Sequence, residues 1–363
     1  VKLSQSLPDF PWDSLASAKA RAAAHRDGIV DLSVGTPVDP TPQFVCDALA
    51  RACQAPGYPT TWGSPALRHA VIDYLQRRWN AYGLDEQCVT TAVGTKEFVG
   101  SLPTVLALGP RDTVVFPRVA YPTYEVGAAL AGVHIERCDD PEQVSSRPAL
   151  IWINSPANPH GAIASRELLR RWVAFARHTG AVLASDECYA EFAYDAPAYS
   201  VLDPRVNDSS LDGLIAVHSL SKRSNMAGYR AGFVAGDPSV VGELLAVRKN
   251  LGLMIPAPVQ AAMVAALGDD EHVAAQKSRY LARRSMLRDA LETAGFRIDH
   301  SEGSLYLWAT QGTDGRRSVD WLAERGILAA PGDFYGPYSG DHVRLSLTAT
   351  DERIGAAVYR LTH

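Results

Sequence analysis

Six short, almost unbroken apolar runs separated by stretches of helical character constrain this chain more than any other feature. They are Val89–Val93, Thr113–Phe116, Leu150–Asn154, Val182–Ser185, Leu214–His218 and Gly232–Ala235. A strand that is apolar on both faces has to be covered on both, so the runs predict a mostly parallel sheet between layers of helix. Phe98–Leu108, Tyr124–Ala131 and Arg166–His178 supply covering helices, the last with Ser165 as N-cap and Gly180 as its stop. Further on the pattern changes. A helical stretch over His272–Ala294 ends at Gly295, and strand-like Ser304–Thr310 and Val343–Leu347 flank a short helix, Val319–Glu324. The predicted fold class is α/β, a large mostly parallel-sheet domain with a smaller α+β domain.

Composition narrows the function classes. Among 363 residues, 35 Lys+Arg face 40 Asp+Glu, a net charge of −5, so no basic excess exists to neutralise nucleic-acid phosphates. Only six of the basic residues are lysines (Lys2, Lys19, Lys96, Lys222, Lys249 and Lys277), which shortens the list for any chemistry needing an amine. The five cysteines form no CxxC pair, and no metal site is indicated; a reducing cytoplasm is the simplest compartment. Val1–Leu15 lacks the apolar core of a signal peptide. The uncharged run Asn250–Gly268 approaches membrane-span length, but Pro256 and Pro258 make it a loop entering a buried helix, so no membrane partner is expected.

In a sheet of this kind ligands gather at the carboxyl ends of the strands. Val89–Val93 runs into Gly94-Thr95-Lys96-Glu97, a Gly-led turn whose free N–H groups suit a phosphate, although such a turn is also ordinary before a helix. Leu150–Asn154 ends in Asn154-Ser155-Pro156-Ala157-Asn158-Pro159-His160-Gly161, a rigid loop able to aim the Asn158 amide, or a plain Pro-rich turn. After Val182–Ser185 come Asp186 and, three residues on, Tyr189. Such an acid could pair with a cationic ring nitrogen, or simply cap a helix. Leu214–His218 leads to Ser219-Leu220-Ser221-Lys222 and then Gly228, Arg230 and Gly232. A lysine just beyond a buried strand has a lowered pKa and the nucleophilic amine that Schiff-base chemistry requires. Together these groups complement pyridoxal phosphate.

With those motifs in place the chain resembles the fold-type I, class I/II pyridoxal-phosphate-dependent aminotransferases over its whole length. The most specific part is Ser219-Leu220-Ser221-Lys222 with Gly228-x-Arg230-x-Gly232. The resemblance implies pyridoxal 5'-phosphate as cofactor, with Lys222 as its attachment point and the proton-shuttling base. It implies Asp186 at the pyridine nitrogen, Tyr189 and Asn158 at the phenolate oxygen, and Tyr121 stacked on the ring. Thr95 and Lys96 (through their N–H groups), Ser219 and Arg230 would hold the phosphate. Tyr58, in Gly57-Tyr58-Pro59, would reach the phosphate of a second subunit, which implies a homodimer. Arg344 would clamp the substrate α-carboxylate, and Gly35 lies in the segment that closes over the substrate. The implied domains are 39–275 (large), with 1–38 and 276–363 joined in the small one. His160 departs from the family pattern and reads as a loop residue.

Asp31-Leu32-Ser33-Val34-Gly35-Thr36-Pro37 and Pro331-Gly332-Asp333-Phe334-Tyr335-Gly336 resemble a subgroup, the actinobacterial N-succinyldiaminopimelate aminotransferases of lysine biosynthesis. This implies small-molecule partners, glutamate as amino donor and N-succinyl-2-amino-6-oxoheptanedioate as acceptor. Another 2-oxo acid is an alternative, as is a carbon–sulfur β-lyase of the same fold, because Lys222 and Asp186 serve both chemistries. A transcription regulator with this domain would need a DNA-binding module, for which the residues before Gly35 are too few. Arg118, Arg316 and Arg317 are candidate partners for a distal anion, or solvated surface groups, the more ordinary reading.

Overall fold

Seven strands build the central sheet of this computed structural model, which describes residues 7, 8 and 10–363. Their order is Val89–Val93, Ala231–Gly236, Leu214–Ser219, Val182–Asp186, Leu150–Asn154, Thr113–Phe116 and His134–Arg137. Ala231–Gly236 is antiparallel to both its neighbours, and the remaining pairings are parallel. The six apolar runs all lie in this sheet. The seventh strand, His134–Arg137, escaped the sequence reading because an edge strand needs no two-sided apolar pattern; His134 and Ile135 are exposed.

Successive residues of each strand feed opposite cores. Leu183 and Ala216 pack on one face with Leu169, Trp172 and Val173 of helix Arg166–Thr179 and with Val71 and Leu75 of helix Pro65–Trp79. Ala184, Ile215 and Val217 pack on the other face with Phe98 and Leu102 of helix Thr95–Val105 and with Tyr124 of helix Thr123–Ala131. Ser165 caps its helix as expected, accepting from the Leu168 N–H at 3.1 Å, and Gly180 ends it in the left-handed conformation. The helix after Gly94 begins at Thr95, not at the first apolar residue Phe98, because Gly94 (φ 72°) lets the chain turn at once. Asn250–Gly268 is a turn followed by the 11-residue helix Ala257–Leu267. Among the described residues no helix is long and apolar enough to cross a membrane.

A further core gathers residues from both ends of the sequence. Leu15, Ala18, Val30 and Leu32 pack with Leu287, Leu307, Leu345, Ile354 and Leu361. Strand Val30–Asp31 pairs in parallel with Ile327–Leu328, both too short to leave a periodic trace in the sequence. Tyr306–Thr310 and His342–Ser346 run antiparallel, with Trp308 opposite Arg344. The long helix spans Glu271–Thr293, and the short one is longer than its apolar residues indicate, Gly315–Glu324, because Asp314 caps it at Arg316 N–H.

Candidate active site

The carboxyl ends of the sheet strands open into a cavity of about 1770 Å³. Thr95, Lys96, Tyr121, Asn158, Asp186, Tyr189, Ser219, Lys222 and Arg230 line it, and Gly35 and Arg344 enter from the other core. Tyr58 is not among them; it stands 98% exposed. His160 is absent from the lining too. Its ring lies 5.1 Å from that of His300, and burial pulls its pKa down to about 3.

One end of the cavity is built for an anion. Gly94 turns the chain so that Thr95 and Lys96 open an 11-residue helix, whose first N–H groups have no partner within the helix. Arg230, itself left-handed (φ 54°) and anchored by donating to the Ala227 carbonyl at 2.8 Å, lies against Gly94. A Cβ built on Gly94 would collide with the Arg230 guanidinium, so only glycine leaves this cradle open. Ser219, at the end of its strand, lines the same cavity.

Asp186 also lines the cavity, buried where its strand stops. Its Oδ2 accepts from the Tyr124 hydroxyl at 2.9 Å and its Oδ1 from the Cys188 N–H at 3.2 Å. No helix follows Asp186, which removes the helix-cap alternative. Burial raises the carboxyl above its ordinary range, and the Cys188 and Tyr124 donors oppose that rise. Asn154, paired with Asp186 across the strands, donates to the Asp186 carbonyl at 2.9 Å and accepts the Asn158 N–H at 2.7 Å. It thereby ties the Asn158 loop to the Asp186 strand.

Lys222 lines the same cavity. Its Nζ donates to the Gly35 carbonyl, and burial, followed by the repulsion of Arg344, brings its pKa down to about 8. Arg344 is 3% exposed and has no carboxylate partner among the described residues. It donates to Asn158 Oδ1 at 2.8 Å and to the Ser33 carbonyl at 2.7 Å, and its Nε has no partner. The guanidinium lies 4.0 Å from the centre of the Tyr306 ring. A buried cation without a counter-ion is costly unless a ligand supplies the charge.

The residues present fit pyridoxal phosphate: the Gly94 cradle would suit its phosphate, Asp186 its ring nitrogen, and Lys222 its aldehyde. Sequence reasoning missed Asn154, Tyr124 and Tyr306. Tyr124 stood inside Tyr121-Pro122-Thr123-Tyr124 and was legible as a second phenol, whereas Tyr306 lay in an apolar strand and gave no signal. Also missed was an outer wall made by Phe10, Trp12 and Phe334, with Trp12 and Phe334 rings 5.2 Å apart. Arg316, read as a surface group, lines this wall but pairs with Asp333 at 2.8 Å.

The model of the family described as aminotransferase class I and II matches residues 27–361. A probable aminotransferase of Mycobacterium tuberculosis is 56% identical over 361 residues, covering 99% of this chain and 86% of that protein. The 4-dedimethylamino-4-oxo-anhydrotetracycline transaminase of Streptomyces rimosus is 55% identical, covering 99% of this chain and 100% of that one. Among solved structures, the probable N-succinyldiaminopimelate aminotransferase of Thermus thermophilus superposes with a TM-score of 0.88 at 26% identity, over 97% of this chain and 99% of that one. A match of this length, on a fold-type I architecture, leaves one assignment: the chain belongs to the class I and II aminotransferases, enzymes dependent on pyridoxal phosphate.

Proposed function

We propose that this aminotransferase takes its amino group from glutamate and delivers it to N-succinyl-2-amino-6-oxoheptanedioate, the step that diaminopimelate and lysine biosynthesis require. The observation carrying the reading is Arg344, a buried guanidinium without a counter-ion among the described residues, in the same cavity as a lysine of lowered pKa. When bound, the cofactor supplies an aldehyde for the amine and a ring that accepts the electron pair left at the substrate Cα.

The chain's own residues do the rest. Arg344 grips the α-carboxylate with a planar fork, and Asn158, already turned by its bond to Arg344, keeps its amide N–H₂ for the cofactor's phenolic oxygen. Tyr189 donates to the same oxygen. Asp186, held by two donors, presents its carboxylate to the ring nitrogen and keeps that nitrogen protonated. Tyr121 packs on the ring. Thr95, Lys96, Ser219 and Arg230 hold the phosphate, and Tyr58 reaches a partner subunit's phosphate in a homodimer; its near-complete exposure supports that placement. Lys222, with a pKa of about 8, holds roughly a tenth of its population as the neutral amine at pH 7, far more than an ordinary lysine, and moves the proton at the substrate Cα.

For the acceptor, support comes from the subgroup resemblance, the Thermus thermophilus structure and the cavity's size, since about 1770 Å³ exceeds the roughly 300–1,000 Å³ of ordinary ligand pockets. Lys96 reaches toward the outer wall, 5.7 Å from the Phe10 ring, where a distal carboxylate would lie. A second reading is favoured by the Streptomyces rimosus relative and the aromatic outer wall: a ketone on a flat polycyclic acceptor. We also place the domain limits at 39–275, with 1–38 and 276–363 together, supported by the core that Leu15 and Val30 share with Ile354. Unpaired cysteines support a cytoplasmic location.

The test is a panel of 2-oxo acids and ketones with glutamate as donor. Rapid turnover of the succinylated acceptor is expected. Failure with it, alongside fast turnover of oxaloacetate or of the tetracyclic ketone, overturns the acceptor and leaves the chemistry standing. Release of pyruvate and ammonia from cystathionine, without amino transfer from glutamate, would overturn transamination itself.

A further inference from the structure

Tyr306 touches three parts of the site at once. Its hydroxyl lies 2.9 Å from the Tyr189 hydroxyl, with the two rings edge to face at 5.7 Å. Its ring face carries the Arg344 guanidinium at 4.0 Å. Its hydroxyl also abuts Gly35, where any Cβ would collide with it, and the Gly35 carbonyl is the acceptor of Lys222 Nζ. The residue is 3% exposed and lines the cavity. Its place is fixed by strand pairing, Tyr306 opposite Ser346, two residues along from Arg344.

We propose that Tyr306 is a positioning residue for transamination, holding the Arg344 fork and the Tyr189 hydroxyl in one geometry through its ring face and its O–H. The inference rests on the reading above, in which Arg344 binds carboxylate and Tyr189 donates to the cofactor's phenolic oxygen. Two consequences follow from the chemistry. A phenol that donates its only proton to a ligand can still accept one, so the Tyr306 O–H donates to the Tyr189 oxygen and strengthens the Tyr189 donor in turn. The ring face stabilises a buried cation that has no carboxylate partner among the described residues. The other ionisable groups facing this pair are Arg344, Tyr121, Tyr280, Tyr335 and Cys188, and both variants below leave them in place.

The experiment uses holoenzyme and separates the two contacts. Tyr306→Phe keeps the ring and removes the O–H; Tyr306→Leu removes both. The first readout is the midpoint of the cofactor's absorbance change with pH. The second is the dissociation constant of glutarate, an unreactive dicarboxylate, followed by the same absorbance. For Tyr306→Phe the midpoint rises by about half a unit, because the weakened Tyr189 donor stabilises the anionic oxygen less, while glutarate binds within about twofold of wild type. For Tyr306→Leu glutarate binds about tenfold more weakly. An unmoved midpoint in Tyr306→Phe overturns the proposal whatever Tyr306→Leu does, and so does wild-type glutarate affinity in a folded Tyr306→Leu. Arg344→Leu separates this from the underlying reading: glutarate binding undiminished in that variant means that Arg344, not Tyr306, has been misassigned.

Discussion

Tyr124 gives its hydroxyl to Asp186 over 2.9 Å, joining two residues 62 positions apart in the chain. Burial works against the charged carboxylate, and this bond is one of two that keep it available. Tyr124→Phe removes a donor to a charged group, a loss of about 1.5–3 kcal/mol. Cofactor affinity should fall by roughly 10- to 150-fold at that energy, measured by fluorescence titration of the apoenzyme.

Lys222→Ala should give protein that binds the cofactor without a borohydride-trappable adduct. Loss of the general base should lower turnover by at least about 10²–10⁴-fold. Peptide mapping after reduction checks the assignment, and label at Lys96 or Lys249 would refute it.

The lowered pKa of Lys222 sets a pH dependence. The reactive form is the neutral amine, so capture of the cofactor by apoenzyme should speed up as pH rises and level off above about 8, well below the 10.5 of a free lysine. Burial is the main cause and Arg344 the next, so Arg344→Leu should move the midpoint upward, toward the ordinary lysine value. Stopped-flow absorbance across pH 6–10 reads both.

Gly94→Ala puts a methyl against the Arg230 guanidinium and a side chain at φ 72°. The left-handed backbone alone costs about 1–2 kcal/mol. Thermal unfolding should show a modest loss of stability, and cofactor affinity should fall further because Arg230 is displaced from the phosphate end.

Lys96→Gln preserves the backbone N–H at the cradle and removes the side-chain charge. The KM of a long, anionic acceptor should rise by roughly two- to fivefold, the worth of an exposed ion pair, while that of glutamate changes little. An equal rise for both substrates would place Lys96 at the α-carboxylate end instead.

How much of this was legible before folding follows from where each signal resides. Asp186 and Lys222 stood at the end of an apolar strand or just past it, and Arg230 just before one that runs antiparallel to its neighbours, so the sheet brings all three to one edge. Residues joined by tertiary packing left less trace. Tyr306 belongs to a strand whose residues are all buried, so its hydroxyl looked like one more core aromatic. His134–Arg137 was lost because an edge strand keeps its polar side chains in water. Pairing of Val30–Asp31 with Ile327–Leu328 spans nearly 300 residues with two-residue strands, too little pattern for any periodicity to register.

The origin of the cavity's walls bears on how such enzymes diverge. The residues proposed to hold the cofactor come mostly from the stretch between Gly94 and Arg230, whereas Phe10, Trp12 and Phe334 come from the N-terminal and C-terminal parts of the chain. Substitutions in the outer wall leave the phosphate cradle and the lysine untouched. Acceptor preference is thus free to drift by exchange of a few aromatic residues, and two chains that share more than half their residues can inherit one reaction and pass the amino group to quite different molecules.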